Sequence, residues 1–513
     1  MMEDKLFMVS NKESISTAYQ SYLTDESHLM GDIPERIYFP KNTLQVSQVI
    51  KEISLRNEKT SISGSRTGIT GGAVPKNTEN HISLDKLNST PLVKFNDQQD
   101  CWTLSVSAST SLQKIQEILS RKQYTSEKKP PGDLYYPVDP TETSASIGGM
   151  VACNASGARS YFYGPTRNWV TGLTIVLANG NILPLSRGSE FAVNNKLSID
   201  GQEITLPKIN IPKTKHVAGY YSKNDMDIID LFIGGEGTLG IVTEVTLRLT
   251  KPPENCLYIC CYIPRTNSIE FMMDVIKSDM LSPLAVEYMD YHSLEMLLEY
   301  RNQIGEASGV PALPKAVDEV VYLEIGYTQK VEFDTICEEL DTLLTKHHSD
   351  IKQTWAGFNN QDLRAMKAFR HALPERINSI MAKYKKTIPS LTKISTDIAV
   401  PYNGFREMIN TYQNKLDSAG LQYCIFGHGG DCHVHVNILP QTEQELLKAW
   451  EVYTIFAKKA ITLKGSIAAE HGVGFLKKKF MILQYTAKEL LAMKKLKESL
   501  DPKKILNPHL LFD

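Results

Sequence analysis

The spacing of hydrophobic positions in the first half of the chain predicts short strands that alternate with helices. Apolar residues at helical spacing predict helices over residues 46–55 and 112–119. Alternating or wholly apolar runs predict strands over residues 60–63, 103–108, 174–177, 182–185 and 241–249. Asn179-Gly180 separates two of these strands and is typical of a hairpin turn. Residues 1–35 are polar with weak helical periodicity, which favours a leading helix or arm.

A break at Lys251-Pro252-Pro253 separates this region from a second one, because prolines interrupt both helices and strands. Beyond it the pattern predicts strands over residues 256–263, 320–325, 423–426 and 433–438. It predicts helices over residues 268–277, 333–347, 360–373, 442–463 and 487–500. We expect Pro374 to end or kink the third of these helices. Thr442 with Glu445 predicts a capping box at the start of the fourth.

Composition excludes several classes of partner. The 513 residues carry a formal net charge of −2, which provides no strong field for nucleic acid or anionic lipid. Lys477-Lys478-Lys479 is the densest basic run, and such a triplet is typical of a solvated helix face. The N-terminus lacks the apolar core of a secretory signal, and no apolar run reaches the ~18–20 residues that span a bilayer. We expect a cytoplasmic protein, or one attached peripherally to the inner membrane.

Three stretches are rich in glycine and short of bulky side chains, at residues 63–73, 147–157 and 234–240. Glycine allows close approach of the backbone, and successive amide N–H groups can then form a site for an anion. Each stretch alone is consistent with a set of tight turns. The last contains G-x-G-x-x-G, but the strand predicted after it argues against a dinucleotide-binding turn, which needs a helix there. Together the three stretches favour a large phosphate-bearing ligand held along several loops.

Four of the twelve histidines lie between His428 and His471, within residues 426–437 and 470–472. Two of them, with Glu470, are placed where a divalent metal could collect imidazole and carboxylate ligands. His471 directly follows Glu470 and could be left free to move a proton. Taken alone, this set is also consistent with the zinc site of a hydrolase.

The glycine-rich segments resemble the FAD-linked oxidase family of the vanillyl-alcohol-oxidase type. The branch concerned holds D-lactate dehydrogenase, the glycolate oxidase flavin subunit and D-2-hydroxyglutarate dehydrogenase. Residues 67–73 resemble its pyrophosphate loop, and residues 137–140 with 146–150 resemble its second flavin-binding signature. Residues 235–241 resemble the segment on the adenine and ribose side. The similarity runs from about residue 36 to the C-terminus.

This resemblance implies bound FAD. The residues that it places around FAD are Gly64, Ser65, Arg66, Thr67, Gly68, Thr70, Gly71, Gly72, Pro137, Ser146, Gly148, Gly149, Asn154, Ser156, Gly157, Glu236, Gly237, Gly240, Ile241 and Asn507. Arg66 stands where the family often has glycine, and it either adds charge at the diphosphate or points to solvent. Cys153 is interpreted as a small buried residue rather than a covalent flavin attachment. Asn507 is expected to return to the isoalloxazine.

The resemblance also assigns the histidine cluster. It implies that His428, His435 and Glu470 bind a divalent metal, with zinc as the first choice and manganese or iron as alternatives. It implies that His471 is the catalytic base. His433 replaces the asparagine of the family motif, so its role stays open between an extra ligand, a substrate contact and a donor that orients another ligand.

The remaining implied residues bind the substrate. Arg370 occupies the position of the family's carboxylate-binding arginine, and a guanidinium grips a carboxylate through two parallel hydrogen bonds. A surface-exposed arginine is the alternative at this position. Lys393 is a candidate second carboxylate anchor, and Asn437 and His433 are further candidate substrate contacts.

The resemblance implies an α+β fold. It consists of a two-subdomain FAD-binding domain of the PCMH type, a cap domain on an antiparallel sheet, and a C-terminal helical segment that closes the site. The expected limits are 1–35 for an N-terminal helical arm, 36–252 for the FAD-binding domain, 253–455 for the cap and 456–513 for the C-terminal segment.

The implied activity is oxidation of a D-2-hydroxy acid to the 2-oxo acid, with the hydride passing to flavin N5. D-lactate is the first candidate substrate, with glycolate and D-2-hydroxyglutarate as alternatives. Without an iron–sulfur motif, electrons are expected to leave to a quinone, a cytochrome, an electron-transfer flavoprotein or a partner subunit. A homodimer is left open. The alternatives are a metal-independent flavin oxidase, a transferase similar to alkyl-glycerone-phosphate synthase, and a non-catalytic flavin-binding subunit.

Overall fold

The structure is a computed structural model that describes residues 6–313 and 318–512, so the first five residues of the predicted arm lie outside the described residues. The strands are β1 (Phe7–Val9), β2 (Arg36–Phe39), β3 (Thr60–Ser63), β4 (Asn80–Ser83), β5 (Leu92–Asn96), β6 (Cys101–Ser107), β7 (Thr125–Ser126), β8 (Val170–Val176), β9 (Ile182–Ser186), β10 (Lys196–Ile199), β11 (Gln202–Thr205), β12 (Ile241–Arg248), β13 (Asn255–Ile263), β14 (Ala285–Met289), β15 (Glu319–Tyr327), β16 (Trp355–Gly357), β17 (Ile394–Ser395), β18 (Ile398–Ala399), β19 (Tyr423–His428) and β20 (His433–Ile438). The α-helices are α1 (Lys12–Thr17), α2 (Thr43–Arg56), α3 (Leu112–Ser120), α4 (Ile147–Cys153), α5 (Ser160–Tyr163), α6 (Ile229–Phe232), α7 (Ser268–Lys277), α8 (Tyr291–Ile304), α9 (Lys330–Lys346), α10 (Asn360–Thr387), α11 (Phe405–Ala419), α12 (Glu443–Thr462), α13 (Gly474–Lys477), α14 (Met481–Gln484) and α15 (Ala487–Leu500).

The first sheet brings the chain to the first glycine-rich stretch. Its strand order is β1-β2-β4-β3, with β2, β4 and β3 parallel. Helix α2 buries the apolar face formed by Val46, Val49, Ile50 and Ile53, as its spacing predicts. β3 ends at Ser63, so Gly64 begins the loop at the strand's carboxyl end.

The N-terminal arm is not purely helical, and the prediction of a helical arm holds for α1 and for the 3₁₀ helix Gln20–Tyr22. β1 pairs antiparallel with β2, which places Phe7 opposite Phe39. Their ring centroids are 5.4 Å apart, and the Tyr22 ring meets Phe39 edge-on at 5.1 Å. These aromatic contacts hold the arm against the first sheet.

The second sheet confirms the predicted hairpin. Its order is β7-β5-β6-β12-β8-β9, and β8 pairs antiparallel with β9. The turn between them contains Gly180 at φ +83°, a conformation that glycine adopts without strain. Strand β12 begins directly after Gly240, so a strand rather than a helix follows the G-x-G-x-x-G segment. Strands β10 and β11 form a separate two-stranded sheet.

The third sheet has eight strands and belongs to the second half of the chain. The order is β16-β13-β15-β14-β19-β20-β17, with β18 also pairing with β20. The pairings are antiparallel, as expected for the cap domain. The hairpin β19–β20 carries residues 426–437, and Phe426 lies opposite His435. The limit expected between residues 455 and 456 falls inside helix α12.

Helix α10 continues through Pro374, so that residue does not end the helix. Proline removes only one backbone N–H, while the buried face continues on both sides of it with Phe369, Leu373 and Ile377. Burial of this face compensates for the lost hydrogen bond.

The capping box predicted at α12 forms only in part. The Thr442 side chain accepts from the Glu445 amide, as predicted. The Glu445 carboxylate accepts from the Gln441 amide at 2.8 Å instead of the Thr442 amide.

The C-terminal tail returns to the first sheet. The Thr60 amide donates to the Ile505 carbonyl at 2.8 Å, and the Asn507 amide donates to the Thr60 carbonyl at 2.8 Å. Among the described residues, no helix has the length and apolar content needed to cross a bilayer.

His81 gives the first sheet a pH-dependent stability. Its ring nitrogens lie 2.8 Å from the hydroxyls of Ser61 and Ser63, and burial lowers its pKa to about 3. The unfolded chain therefore takes up this proton first, and stability is lost as the pH falls from about 6.5 toward about 3. The His81→Gln variant should lack this loss, which reaches about 2 kcal/mol at pH 5.

Denaturant unfolding at pH 7.5 and pH 5 measures this effect. We expect the gap in unfolding free energy between wild type and His81→Gln to shrink at pH 5. A gap that is equal at both pH values would contradict the assignment of a neutral buried His81.

Candidate active site

A cavity of about 550 Å³ lies between the glycine-rich loops and the eight-stranded sheet. Residues predicted to surround FAD line most of one side: Gly64, Ser65, Arg66, Thr67, Gly68, Thr70, Gly72, Ser146, Gly148, Gly149, Ser156, Glu236, Gly237, Gly240, Ile241 and Asn507. The other predicted site residues that line it are Arg370, Lys393, His428, His435, Asn437, Glu470 and His471. One continuous space therefore connects the two sets.

The first two glycine-rich loops meet at Ser146. This residue caps helix α4, and its hydroxyl accepts from the Gly149 amide at 3.3 Å and the Ser65 amide at 3.4 Å. A Cβ on Gly64 would lie 2.4 Å from this hydroxyl, and one on Gly148 would lie 2.7 Å from the Ala108 methyl. Both glycines are required by close packing of the loops that bound the cavity.

Among the described residues, four that were predicted to surround FAD do not line the cavity: Gly71, Pro137, Asn154 and Gly157. Asn154 ends α4 in the left-handed conformation, and its side chain accepts from the Arg167 amide. A Cβ on Gly157 would lie 2.1 Å from the Asp139 carbonyl oxygen. For these two residues the structure shows a role in shaping the loop.

Glu236 and Asn507 join the third loop to the C-terminal tail. The Glu236 carboxylate accepts from the amides of Val473 and Gly474 at 2.8 and 2.9 Å. Burial raises its pKa to about 7, although these two hydrogen bonds oppose the shift. The Asn507 side chain donates to the Glu236 carbonyl and accepts from the Ile62 amide. Both residues thus fix the cavity wall.

Arg66 packs against the N-terminal arm and lines the cavity, so it does not project freely into solvent. Its guanidinium carbon lies 4.1 Å from the centre of the Tyr22 ring, and Nη1 donates to the Gly64 carbonyl at 3.2 Å. The residue also lines the cavity. The N-terminal arm therefore contributes Tyr22 as a support for a cation beside the first loop.

The histidine cluster converges on one oxygen of Glu470. Oε1 lies 3.3 Å from His428 Nε2 and 3.2 Å from His435 Nε2. Around a tetrahedral zinc with bonds of about 2.0–2.2 Å, neighbouring ligand atoms are about 3.3 Å apart. His428, His433, His435 and Glu470 form a group whose ligand atoms all lie within 4.8 Å of one another. The spacing therefore fits a divalent metal held by two histidines and Glu470.

The other oxygen of Glu470 is held by two residues from the first half of the chain. Oε2 accepts from Ser156 Oγ at 2.8 Å and from Lys215 Nζ at 2.9 Å. Although burial alone would raise it, Lys215 and His428 hold the pKa of Glu470 well below its usual range. Glu470 is thus an oriented carboxylate that offers one free oxygen to the histidines.

His428 and His435 are each oriented through the nitrogen that faces away from Glu470. His428 Nδ1 lies 2.7 Å from Glu287 Oε1, and His435 Nδ1 lies 3.1 Å from the Thr396 carbonyl oxygen. Such partners require a proton on Nδ1, which leaves Nε2 free to bind a metal. Burial alone would lower the pKa of His428, but the carboxylates of Glu287 and Glu470 raise it to about 10. Negative charge at this point favours a cation.

His433 is fully buried on β20 and is absent from the residues of the described chain that line the cavity. Its Nε2 lies 3.1 Å from Asp397 Oδ1, and its Nδ1 lies 3.8 Å from Glu470 Oε2. This placement favours an extra metal ligand or a group that orients Glu470 over a contact with substrate.

His471 is more exposed than His428 and His435. Its side chain is 28% exposed, compared with 7% for His428 and 13% for His435. Burial lowers the pKa of His471 to about 4, although Asp397 and Glu470 oppose the shift. The imidazole is therefore neutral near pH 7 and can accept a proton from the cavity.

Asp397 organises the turn that carries Glu470 and His471. Its carboxylate accepts from both of their amides at 3.1 Å and from Lys477 Nζ. Lys477 is buried, so the prediction of a solvated helix face is wrong for this member of the lysine run. Asp397 needs a buried cation because it is itself fully buried.

Arg370 lies beside the cluster on α10. Its Nη2 donates to Glu287 Oε2 at 2.7 Å, and its guanidinium carbon lies 5.1 Å from the centre of the Tyr322 ring. It is half-buried and lines the cavity rather than projecting to bulk solvent. Lys393 also lines the cavity, with Nζ donating to Asn378 at 3.0 Å. Asn437 is buried, and its Nδ2 has no partner among the described residues.

Sequence reasoning missed Glu287, Asp397 and Lys215. Glu287 lies within β14, where every other residue is also buried and none of those is charged. A lone carboxylate in such a run is a signal of a paired, positioned group. Asp397 and Lys215 have no comparable local signal, since their partners lie far away in the chain.

Comparisons with known proteins agree with this architecture. Residues 253–510 match the family described as FAD linked oxidases, C-terminal domain, and residues 34–186 match the FAD binding domain. Alkyldihydroxyacetonephosphate synthase has a similar structure, with a TM-score of 0.63 at 14% identity over 99% of this chain and 83% of that chain. This likeness shows a shared fold.

Three relatives match over most of their length. Glycolate oxidase subunit GlcD of Bacillus subtilis is 27% identical over 100% of this chain and 96% of its own. D-lactate dehydrogenase of Anaerostipes hadrus is 27% identical over 95% of this chain and 92% of its own. D-2-hydroxyglutarate dehydrogenase of Xanthomonas citri pv. viticola is 30% identical over 94% of this chain and 89% of its own. With these matches and the family model over residues 253–510, the chain belongs to the FAD-linked oxidase family and is an FAD-dependent oxidoreductase.

Proposed function

We propose that this protein oxidises a D-2-hydroxy acid to the 2-oxo acid with the help of a divalent metal. One observation carries the proposal: Arg370, the cluster on Glu470 and His471 line the same cavity as the glycine-rich loops. A carboxylate anchor, a metal site and a neutral base are the groups that this reaction needs beside a flavin. Relatives that are named for D-lactate, glycolate and D-2-hydroxyglutarate support the substrate class.

Arg370 binds the substrate carboxylate in this proposal. Glu287 accepts a hydrogen bond from Nη2 of Arg370, which leaves the other N–H groups of the guanidinium for the substrate carboxylate. The ring of Tyr322 supports the guanidinium from one side. Arg370 thereby orients the hydroxyl-bearing carbon relative to the histidines.

His471 accepts the proton of the substrate hydroxyl. It is neutral near pH 7 and more exposed to the cavity than the ligands. The His471 amide donates to the Asp397 carboxylate, and this hydrogen bond fixes the backbone from which the imidazole projects. General bases of this kind contribute about 10²–10⁴-fold to a rate.

His428, His435 and Glu470 would hold the metal, with zinc as the first choice and manganese or iron as alternatives. A bound divalent metal lowers the pKa of the substrate hydroxyl, and bound FAD accepts the hydride. Ser156 and Lys215 keep Glu470 turned so that Oε1 faces His428 and His435.

D-lactate is the first candidate substrate, because it has one carboxylate for Arg370, which shares Glu287 with His428 of the cluster. Glycolate and D-2-hydroxyglutarate are the alternatives, and Lys393 is the candidate anchor for a second carboxylate. The electron acceptor is a quinone, a cytochrome, an electron-transfer flavoprotein or a partner subunit.

A panel of D- and L-2-hydroxy acids with an artificial dye acceptor tests the proposal. We expect oxidation of the D enantiomers, because the relatives named for lactate and 2-hydroxyglutarate are named for the D forms. Turnover of 2-hydroxyglutarate but not lactate would make the dicarboxylic acid the substrate. Protein that holds FAD and metal yet oxidises no member of the panel would refute the activity.

A further inference from the structure

Glu287 lies between the substrate anchor and the metal ligands. It belongs to β14, in the interior of the eight-stranded sheet, and only 5% of it is exposed. Its Oε1 lies 2.7 Å from His428 Nδ1, and its Oε2 lies 2.7 Å from Arg370 Nη2. One carboxylate therefore contacts both groups, with one oxygen for each.

A carboxylate in this position needs both partners. Burial of an unpaired carboxylate is costly, and the neighbours of Glu287 on β14 are Val286 and Tyr288, which are both buried. The strand is hydrogen-bonded to β15 on one side and β19 on the other, so the backbone of Glu287 cannot shift easily. The backbone of Glu287 is therefore held by the sheet, and its carboxylate is held by His428 and Arg370.

We propose that Glu287 is a positioning residue that couples the carboxylate site at Arg370 to the metal site at His428. This inference rests on the proposed function. Toward His428, Oε1 holds the proton on Nδ1 and directs Nε2 at Glu470. Toward Arg370, Oε2 occupies one terminal nitrogen and sets the direction in which the remaining nitrogens face the cavity.

The shared carboxylate makes the two sites interdependent. A guanidinium on Oε2 draws charge away from Oε1, so the strength of the hydrogen bond to His428 depends on what Arg370 contacts. Removing the Arg370 guanidinium leaves the full charge of Glu287 facing His428, which strengthens that bond and tightens metal binding. Coupling of this kind is reciprocal, so metal occupancy also changes the affinity for a carboxylate.

Three variants separate the two halves of this role. In Glu287→Gln the amide oxygen can still accept from His428, but the amide nitrogen faces Arg370, so we expect KM to rise by about tenfold and zinc affinity to fall less than tenfold. In Glu287→Ala both contacts are lost, and zinc affinity should fall by about 10- to 100-fold. In Arg370→Met zinc should bind several-fold more tightly, although Arg370 is not a ligand.

Zinc affinity is measured without turnover, by competition between the FAD-loaded protein and a chromophoric chelator. Glu319→Gln is the matched control, because Glu319 is a buried carboxylate of the same sheet that contacts Ser268 and Tyr288. It should change neither zinc affinity nor KM. FAD content and melting temperature are recorded for each variant, so that a folding defect is recognised, and Arg370→Met keeps the test available if the Glu287 variants do not fold.

The outcomes distinguish failure of the proposed metal site from failure of the coupling through Glu287. Wild-type protein that binds no metal would refute the metal site of the proposed function and this coupling with it. Wild-type protein that binds zinc, with unchanged zinc affinity in Glu287→Ala and Arg370→Met, would overturn the coupling alone. A Glu287→Gln variant that matches Glu319→Gln in KM would overturn the link to Arg370.

Discussion

Replacing His471 by alanine should lower the turnover of a D-2-hydroxy acid by about 10²–10⁴-fold while FAD stays bound. The imidazole is neutral near pH 7 because burial lowers its pKa to about 4. Its side chain is also more exposed than those of His428 and His435. Its loss removes the acceptor for the hydroxyl proton. FAD should stay bound because the first glycine-rich loop contacts His471 through its backbone. Thr70 Oγ1 donates to the His471 carbonyl, and alanine keeps that carbonyl.

Stopped-flow reduction of the bound flavin measures this effect directly, since it is independent of the electron acceptor. His371→Ala is the matched control, because His371 lines the same cavity next to Arg370. We expect the flavin of the control to be reduced at close to the wild-type rate. Flavin reduction in His471→Ala at a similar rate would show that another group takes the proton.

Much of the fold follows from local pattern. The limits of β3, α7, β20 and α15 agree with the predicted ranges, because alternation or helical spacing there coincides with burial. The arm and α10 do not follow from local pattern. β1 forms because Phe7 packs on Phe39, and α10 passes Pro374 because its apolar face stays buried on both sides.

The candidate site divides in the same way. His428, His435 and Glu470 lie in two segments that resemble the family's motifs, so the resemblance predicts them as a group, and the structure brings them together. Glu287, Lys215 and Asp397 join them only through tertiary contacts. Each of them is a charged residue with little exposure that is paired across more than 70 residues of sequence, and such a pairing leaves no periodic trace. The parts that orient the ligands are therefore the parts that only a structure can supply.

Replacing His435 by alanine should lower the affinity for zinc and reduce turnover by about two to three orders of magnitude. His435 Nε2 lies 3.2 Å from Glu470 Oε1, and the Thr396 carbonyl fixes the tautomer in which Nε2 is free. The variant keeps Arg370 and His471, so substrate binding and the base remain. Removal of the metal from wild-type protein with a chelator should cause a similar loss, which added zinc or manganese should reverse.

Metal content by mass spectrometry and the rate of flavin reduction together measure this prediction. His347→Ala is the matched control, since His347 is a buried histidine whose Nε2 lies 2.7 Å from Asp274 rather than near the cluster. It should retain metal and activity. Wild-type turnover that is insensitive to the chelator, with equal metal content in the His435→Ala variant, would favour a metal-independent flavin oxidase. In that case His428 would be a charged imidazolium that the carboxylates of Glu470 and Glu287 stabilise. Its raised pKa of about 10 allows this state when no metal is bound, because a metal on Nε2 replaces the proton there.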